Sequence, residues 1–133
     1  MPTLLRNALL INATFSALCG AAMLIAPQTV GAWTGLELPW LYQVMGAGLG
    51  LFAILLVMLA TRRPPALPLV RLATWADFGW VAGTVLLLLS PWRELFSERG
   101  LWTLVSVAQM VLLCGVLQAL GTRLQPQPGR TAQ

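Results

Sequence analysis

Four long apolar runs, separated by short polar breaks, dominate the chain. They extend from about Leu5 to Ala26, Leu41 to Ala60, Leu69 to Leu89 and Leu101 to Leu120. Each reaches the roughly 20 mostly apolar residues that a helix needs to cross a bilayer. None alternates polar and apolar positions as a barrel strand would, and turn residues are too sparse for a barrel. The pattern predicts an all-α protein, an integral membrane bundle of four transmembrane helices. In this reading residues 1–124 form one transmembrane domain, because little chain remains between the spans to build another. The segment Gln125-Pro126-Gln127-Pro128-Gly129-Arg130 marks residues 125–133 as a disordered cytoplasmic tail.

The breaks carry their own signals. Ser90-Pro91 places an N-cap residue before a proline at the first helical position, which predicts a short interfacial helix. Trp92, Leu95, Phe96 and Arg99 would share one face of it. Pro64-Pro65-Ala66-Leu67-Pro68 reads as a stiff connector, since proline interrupts helix continuation. Trp33, Trp40, Tyr42, Trp92 and Trp102 all fall at span ends, where amphipathic rings prefer the headgroup level.

Charge sharpens the picture. Only 9% of the 133 residues are charged and 58% are hydrophobic, whereas soluble domains run nearer a quarter charged. A water-soluble globule is thereby excluded. All eight bases are Arg, and they are scattered along the chain. That argues against a nucleic-acid partner, which needs a dense basic patch. Six of the eight, Arg6, Arg62, Arg63, Arg71, Arg123 and Arg130, lie on one side of the span plan. Arg93 and Arg99 lie on the other, beside Glu94 and Glu98. The excess places both termini in the cytoplasm, with a bacterial inner membrane as the expected location. The first run is longer than a secretory signal core. It is therefore expected to stay as an anchor, although Val30-Gly31-Ala32 resembles a cleavage site.

Much catalytic chemistry is missing. Without His there is no Ser-His or Cys-His pair, and the usual zinc and haem ligand sets are depleted. Without Lys there is no phosphate-cradling P-loop. Glu94 and Glu98, flanked by Arg93 and Arg99, read as a solvated cluster. No catalytic residue, metal ligand or cofactor is assigned, and an enzyme is the less favoured class. Cys19 and Cys114 sit at depths too different for a disulfide and read as buried packing residues.

Polar residues inside the spans are the candidates for function. Asp77 is the one acid within a run, about 10 Å from its start at 1.5 Å per residue. An ionised acid costs about 2.5–3.5 kcal/mol at a span's centre, so Asp77 should face the bundle interior. Thr74, Asp77, Val81 and Thr84 form a stripe at helical spacing. Asn12, Ser16 and Cys19 form another, with Asn12 at the depth of Asp77. The Asn12 amide and the Trp80 indole N–H are both placed to donate to the carboxylate. Gln118 and Thr122 lie at the cytoplasmic end of the fourth span, Ser106 and Gln109 deeper, and Gln43 near the outer face. Two readings remain open: a polar pocket that binds a ligand or relays a proton through Asp77, Asn12, Trp80, Thr74, Ser16 and Gln118, or an interhelical hydrogen bond that fixes register. Gly46, Gly50 and Ala53, with Ala13, Ala17, Gly20 and Ala21, provide small-residue stripes for close helix approach or dimerisation.

The halves also align with each other. A shift of 65 residues sets Arg6 on Arg71, Asn12 on Asp77, Phe15 on Trp80 and Leu24 on Leu89. With small gaps, Pro27 meets Pro91 and Ala60-Thr61-Arg62 meets Gly121-Thr122-Arg123. Two duplicated hairpins would be related by an axis along the membrane normal.

The span plan, with Asn12-Ala13-Thr14-Phe15-Ser16 and Ala76-Asp77-Phe78-Gly79-Trp80-Val81, resembles small DoxX-like bacterial inner-membrane proteins. The resemblance lies in the span plan, with almost no specific residues. It implies quinone-linked membrane redox work and a lipid-like ligand. The favoured expectation is a non-enzymatic accessory or binding module for a lipid, a quinone or a partner helix. The alternatives are a small proton-coupled carrier using Asp77 and a cofactor-free subunit of a membrane redox complex. Beside the bilayer itself, a membrane-protein partner or a second copy of the chain are the candidate partners.

Overall fold

A computed structural model describes residues 3–62 and 66–124. The proline pair Pro64-Pro65 and the tail at 125–133 lie outside the described residues. Five α-helices and one 3₁₀ turn account for nearly all the rest: α1 (Thr3–Ile25), α2 (Pro27–Thr34), α3 (Pro39–Thr61), α4 (Leu67–Leu89), a 3₁₀ turn (Pro91–Leu95) and α5 (Glu98–Arg123). Four of these, α1, α3, α4 and α5, are long and apolar enough to span a membrane. The chain is an all-α, four-span integral membrane protein, and the helices overrun the apolar runs by a residue or more at most ends.

Local chemistry sets the boundaries. Proline lies in the first turn of α2, α3, α4 and the 3₁₀ turn, where its missing N–H leaves no helical bond unmade. Ser90 caps the 3₁₀ turn by accepting from Trp92 N, and Ser97 caps α5 by accepting from Gly100 N at 3.1 Å. The 3₁₀ turn ends at Leu95, so the expected shared face does not continue to Arg99, which belongs to α5. α2 stops at Gly35, whose φ of 87° is left-handed and whose N–H closes onto Gly31 O at 2.9 Å.

α1 packs along α3 and α4 along α5, and α1 also lies against α5, whereas α3 and α4 barely meet. Each half thus repeats one plan: a long helix, a short proline-opened element and a long helix. The backbones of α1 and α3 approach closely at Gly20 and Gly46. A Cβ added to Gly20 would stand 2.9 Å from Gly46 O, and one added to Gly46 would stand 2.7 Å from Gly20 O. Ala13 and Ala53 are buried on the same helices, but Ala17 and Ala21 are exposed, and a Cβ on Gly50 would meet nothing within 4 Å. The small-residue contact is therefore narrower than the sequence stripes. Leu5, Leu9, Leu56, Leu59 and Val70 fill the core near the start of α1, and Gly121 admits Leu5 against α5. Leu18, Leu51, Leu72 and Leu86 point outward, as expected where acyl chains are the solvent.

At the opposite end α2 is fastened to the start of α5. Ser97 N donates to Thr34 O at 2.7 Å and Ser97 Oγ to Trp33 O at 2.8 Å. Trp33 Nε1 donates to Thr103 Oγ1 at 2.9 Å, and the Arg99 guanidinium sits 4.6 Å above the Trp33 ring. Trp33, Trp40, Trp92 and Trp102 are exposed, as interfacial anchors are. Tyr42 is not: it is 5% exposed. Its hydroxyl donates to Leu36 O at 2.8 Å, so Thr34 Oγ1 acts as donor to it at 2.5 Å. This hydroxyl holds a loop rather than a headgroup.

Candidate functional site

The Asp77 carboxylate lies where α1, α4 and α5 converge and is 4% exposed. Its Oδ2 accepts from Asn12 Nδ2 at 2.7 Å and from Gln118 Nε2 at 3.0 Å. Two more hydroxyls extend the cluster. Ser16 Oγ donates to Asn12 Oδ1 at 3.4 Å, a long bond, and Thr74 Oγ1 approaches Gln118 Oε1 at 3.2 Å while also reaching Val70 O at 2.9 Å. Asn12 and Gln118 are 1% and 0% exposed, so each amide is oriented wholly by protein. Among the described residues no cation pairs with Asp77. Burial of a carboxylate is offset here by two amide donors on one oxygen, an arrangement that also accommodates a proton on Oδ1.

Five of the six residues singled out in the sequence therefore meet: Asp77, Asn12, Gln118, Thr74 and Ser16. Trp80 does not join them. Its indole makes no bond to Asp77; Gln118 supplies the second donor instead. Three residues along a helix turn the side chain about 60° away from Asp77, so Trp80 serves a neighbouring face. Its Nε1 is buried with no hydrogen-bond partner among the described residues. Gln109 and Ser106 are exposed, and Ser106 bonds only its own helix at Trp102 O. Neither belongs to the interior cluster. Cys114 is buried and Cys19 half-buried, and both are free thiols.

The feature that sequence reasoning missed is a cavity of about 450 Å³ beside this cluster, in the gap between α3 and α4 and walled also by α2 and the first half of α5. Trp80, Tyr42, Met45, Thr84, Phe96 and Leu104 are among its walls, and almost all the lining atoms are apolar. Gly79 and Gly83 also line it, and a Cβ on either would meet nothing within 4 Å. These bare positions keep the seam open. Thr84 Oγ1 is engaged with Trp80 O at 2.9 Å and Tyr42 with Leu36 O, whereas Trp80, also a lining residue, keeps its Nε1 buried behind the wall without a partner among the described residues. Asp77, Asn12, Ser16 and Gln118 do not line this cavity. The hint available beforehand was a glycine pair four residues apart, flanking Trp80 on α4.

Comparison with family models, curated proteins and solved structures returns no match for this chain. The DoxX-like resemblance therefore rests on the span plan alone.

Proposed function

We propose that this protein is a non-enzymatic binding module of the bacterial inner membrane that holds one membrane-soluble molecule in the α3–α4 cavity. The observation that carries this reading is an almost wholly apolar cavity whose lining includes Trp80, a residue with a buried, unpartnered indole N–H. A buried donor without an acceptor costs about 1–3 kcal/mol, and a small turn of the Trp80 ring toward a ligand carbonyl or ester oxygen would remove that cost. The volume lies within the 300–1,000 Å³ typical of ligand pockets. The occupant is a quinone or lipid: an apolar body with one or two acceptor oxygens. Quinone chemistry accords with the DoxX-like span plan. The gathering of Arg6, Arg62, Arg71 and Arg123 at one end of the helices supports a cytoplasmic side for both termini.

The proton-coupled carrier reading needs Asp77 to face an aqueous path. Among the described residues it faces two amide donors, which supports a positioning role: Asp77 holds α1, α4 and α5 in register, and that register fixes the cavity wall one turn further along α4.

Mass spectrometry of lipid extracts from gently solubilised protein tests the proposal. The wild type should carry a defined quinone or lipid, and Trp80→Phe, which keeps the ring and removes the donor, should carry about tenfold less. Equal retention by the two proteins, or no defined molecule in either, would overturn it.

A further inference from the structure

We infer that the groove between α4 and α5, at the end where α4 begins and α5 ends, binds the phosphate headgroup of an anionic phospholipid. A cavity of about 480 Å³ lies there, lined by Arg71, Thr74, Trp75, Phe78, Thr122 and Arg123. Both arginines are exposed. The chain contains four acids, and none can neutralise them. Glu37, Glu94 and Glu98 lie at the opposite end of the helices, and Asp77 lies deeper with its Oδ2 already taken by Asn12 and Gln118. Among the described residues, two guanidiniums thus border one pocket without a counter-charge. Each can meet a phosphate with a fork of parallel N–H donors.

The neighbouring hydroxyls do not compete for that role. Thr122 Oγ1 donates to Gln118 O at 2.8 Å, and the Thr74 proton is engaged with Val70 O or Gln118 Oε1. Recognition therefore falls to the two arginines. What selects a phospholipid over a free anion is the wall beneath them. Trp75, 72% exposed, stands one helical turn deeper than Arg71 and meets Phe78 edge to face with ring centroids 6.4 Å apart. A free phosphate would leave this aromatic wall uncovered, whereas the glycerol and first acyl carbons of a phospholipid lie against it. Tryptophan at this depth suits the headgroup boundary, and basic pockets between membrane helices are known receptors for anionic heads. The site is separate from the α3–α4 cavity and does not depend on what that cavity holds.

Native mass spectrometry of the full chain, titrated with phosphatidylglycerol or phosphatidylcholine, tests the assignment. Phosphatidylglycerol should bind at least tenfold more tightly than phosphatidylcholine. Arg71→Gln and Arg123→Gln should each weaken it about fivefold, and the double variant about 25-fold, following the electrostatic gain expected per arginine. Arg93→Gln with Arg99→Gln, at the other end, should leave it unchanged. Equal binding of the two lipids, an unaltered double variant, or an equal loss in the Arg93/Arg99 control would overturn the proposal. So would displacement of phosphatidylglycerol by inorganic phosphate at millimolar concentration, which would mark a free-anion site.

Discussion

Asn12 donates its side-chain amide to Asp77 Oδ2 at 2.7 Å, joining α1 to α4 across 65 residues of sequence. The same interval relates the two halves of the chain in the duplicated-hairpin alignment. Equivalent residues that touch each other would stand beside the local axis between the halves, and the shared plan of long helix, proline-opened element and long helix accords with that arrangement. The bond carries a consequence for stability. Asp77→Leu leaves the Asn12 and Gln118 amides facing hydrocarbon and should destabilise the bundle by about 1–3 kcal/mol. Asp77→Asn keeps an acceptor oxygen and should cost less than about 1 kcal/mol. Equilibrium unfolding in mixed detergent compares them, and equal losses would refute the hydrogen-bond account.

Gln118 should behave as the second half of the same device. Gln118→Leu removes one donor from Asp77 and the contact to Thr74, with an expected loss of about 0.6–1.7 kcal/mol, the range of interhelical bonds in membrane bundles. Gln109→Leu, on the lipid-facing side of α5, should not lower stability. Detergent melting of the two variants separates them.

The Gly20–Gly46 crossing predicts an opposite pair of results. Gly46→Ala drives a methyl against Gly20 O and should cost about 1–3 kcal/mol. Gly50→Ala meets open space on the same helix and should gain up to about 1 kcal/mol from helix propensity. Melting temperatures falling for one and holding or rising for the other would bear this out.

Gly35 provides a test of the α2–α5 fastening. Its left-handed φ and the 2.5 Å separation between an added Cβ and Ser97 N leave no room for a side chain. Gly35→Ala should destabilise by at least about 1 kcal/mol and should speed amide exchange at Ser97, which can be followed by hydrogen–deuterium exchange.

Much of this was legible in the sequence for simple reasons. Span length and apolar runs gave the four helices, and equal depth placed Asn12 opposite Asp77. Gln118 and Gln109 are nine residues apart, which is half a turn out of phase at 3.6 residues per turn; once one faces inward the other must face out. Tyr42 was misleading because an aromatic ring at a span end has the same sequence signature whether its hydroxyl meets a headgroup or a carbonyl. The eight residues of α2 carry no long apolar stripe, and their helix depends on Pro27, Gly35 and docking onto α5. The cavity was the least visible feature, since it arises where Gly79 and Gly83 lack side chains opposite residues contributed by distant helices.

The central claim is that the α3–α4 seam holds one bound molecule, and the amount extracted per chain measures it most directly. Wild-type protein should yield about one equivalent of a single quinone or lipid species beyond the annular lipids. Gly83→Leu, whose side chain enters space that is open in the structure, should abolish it without lowering the melting temperature. An undiminished yield from a well-folded Gly83→Leu protein would contradict the account.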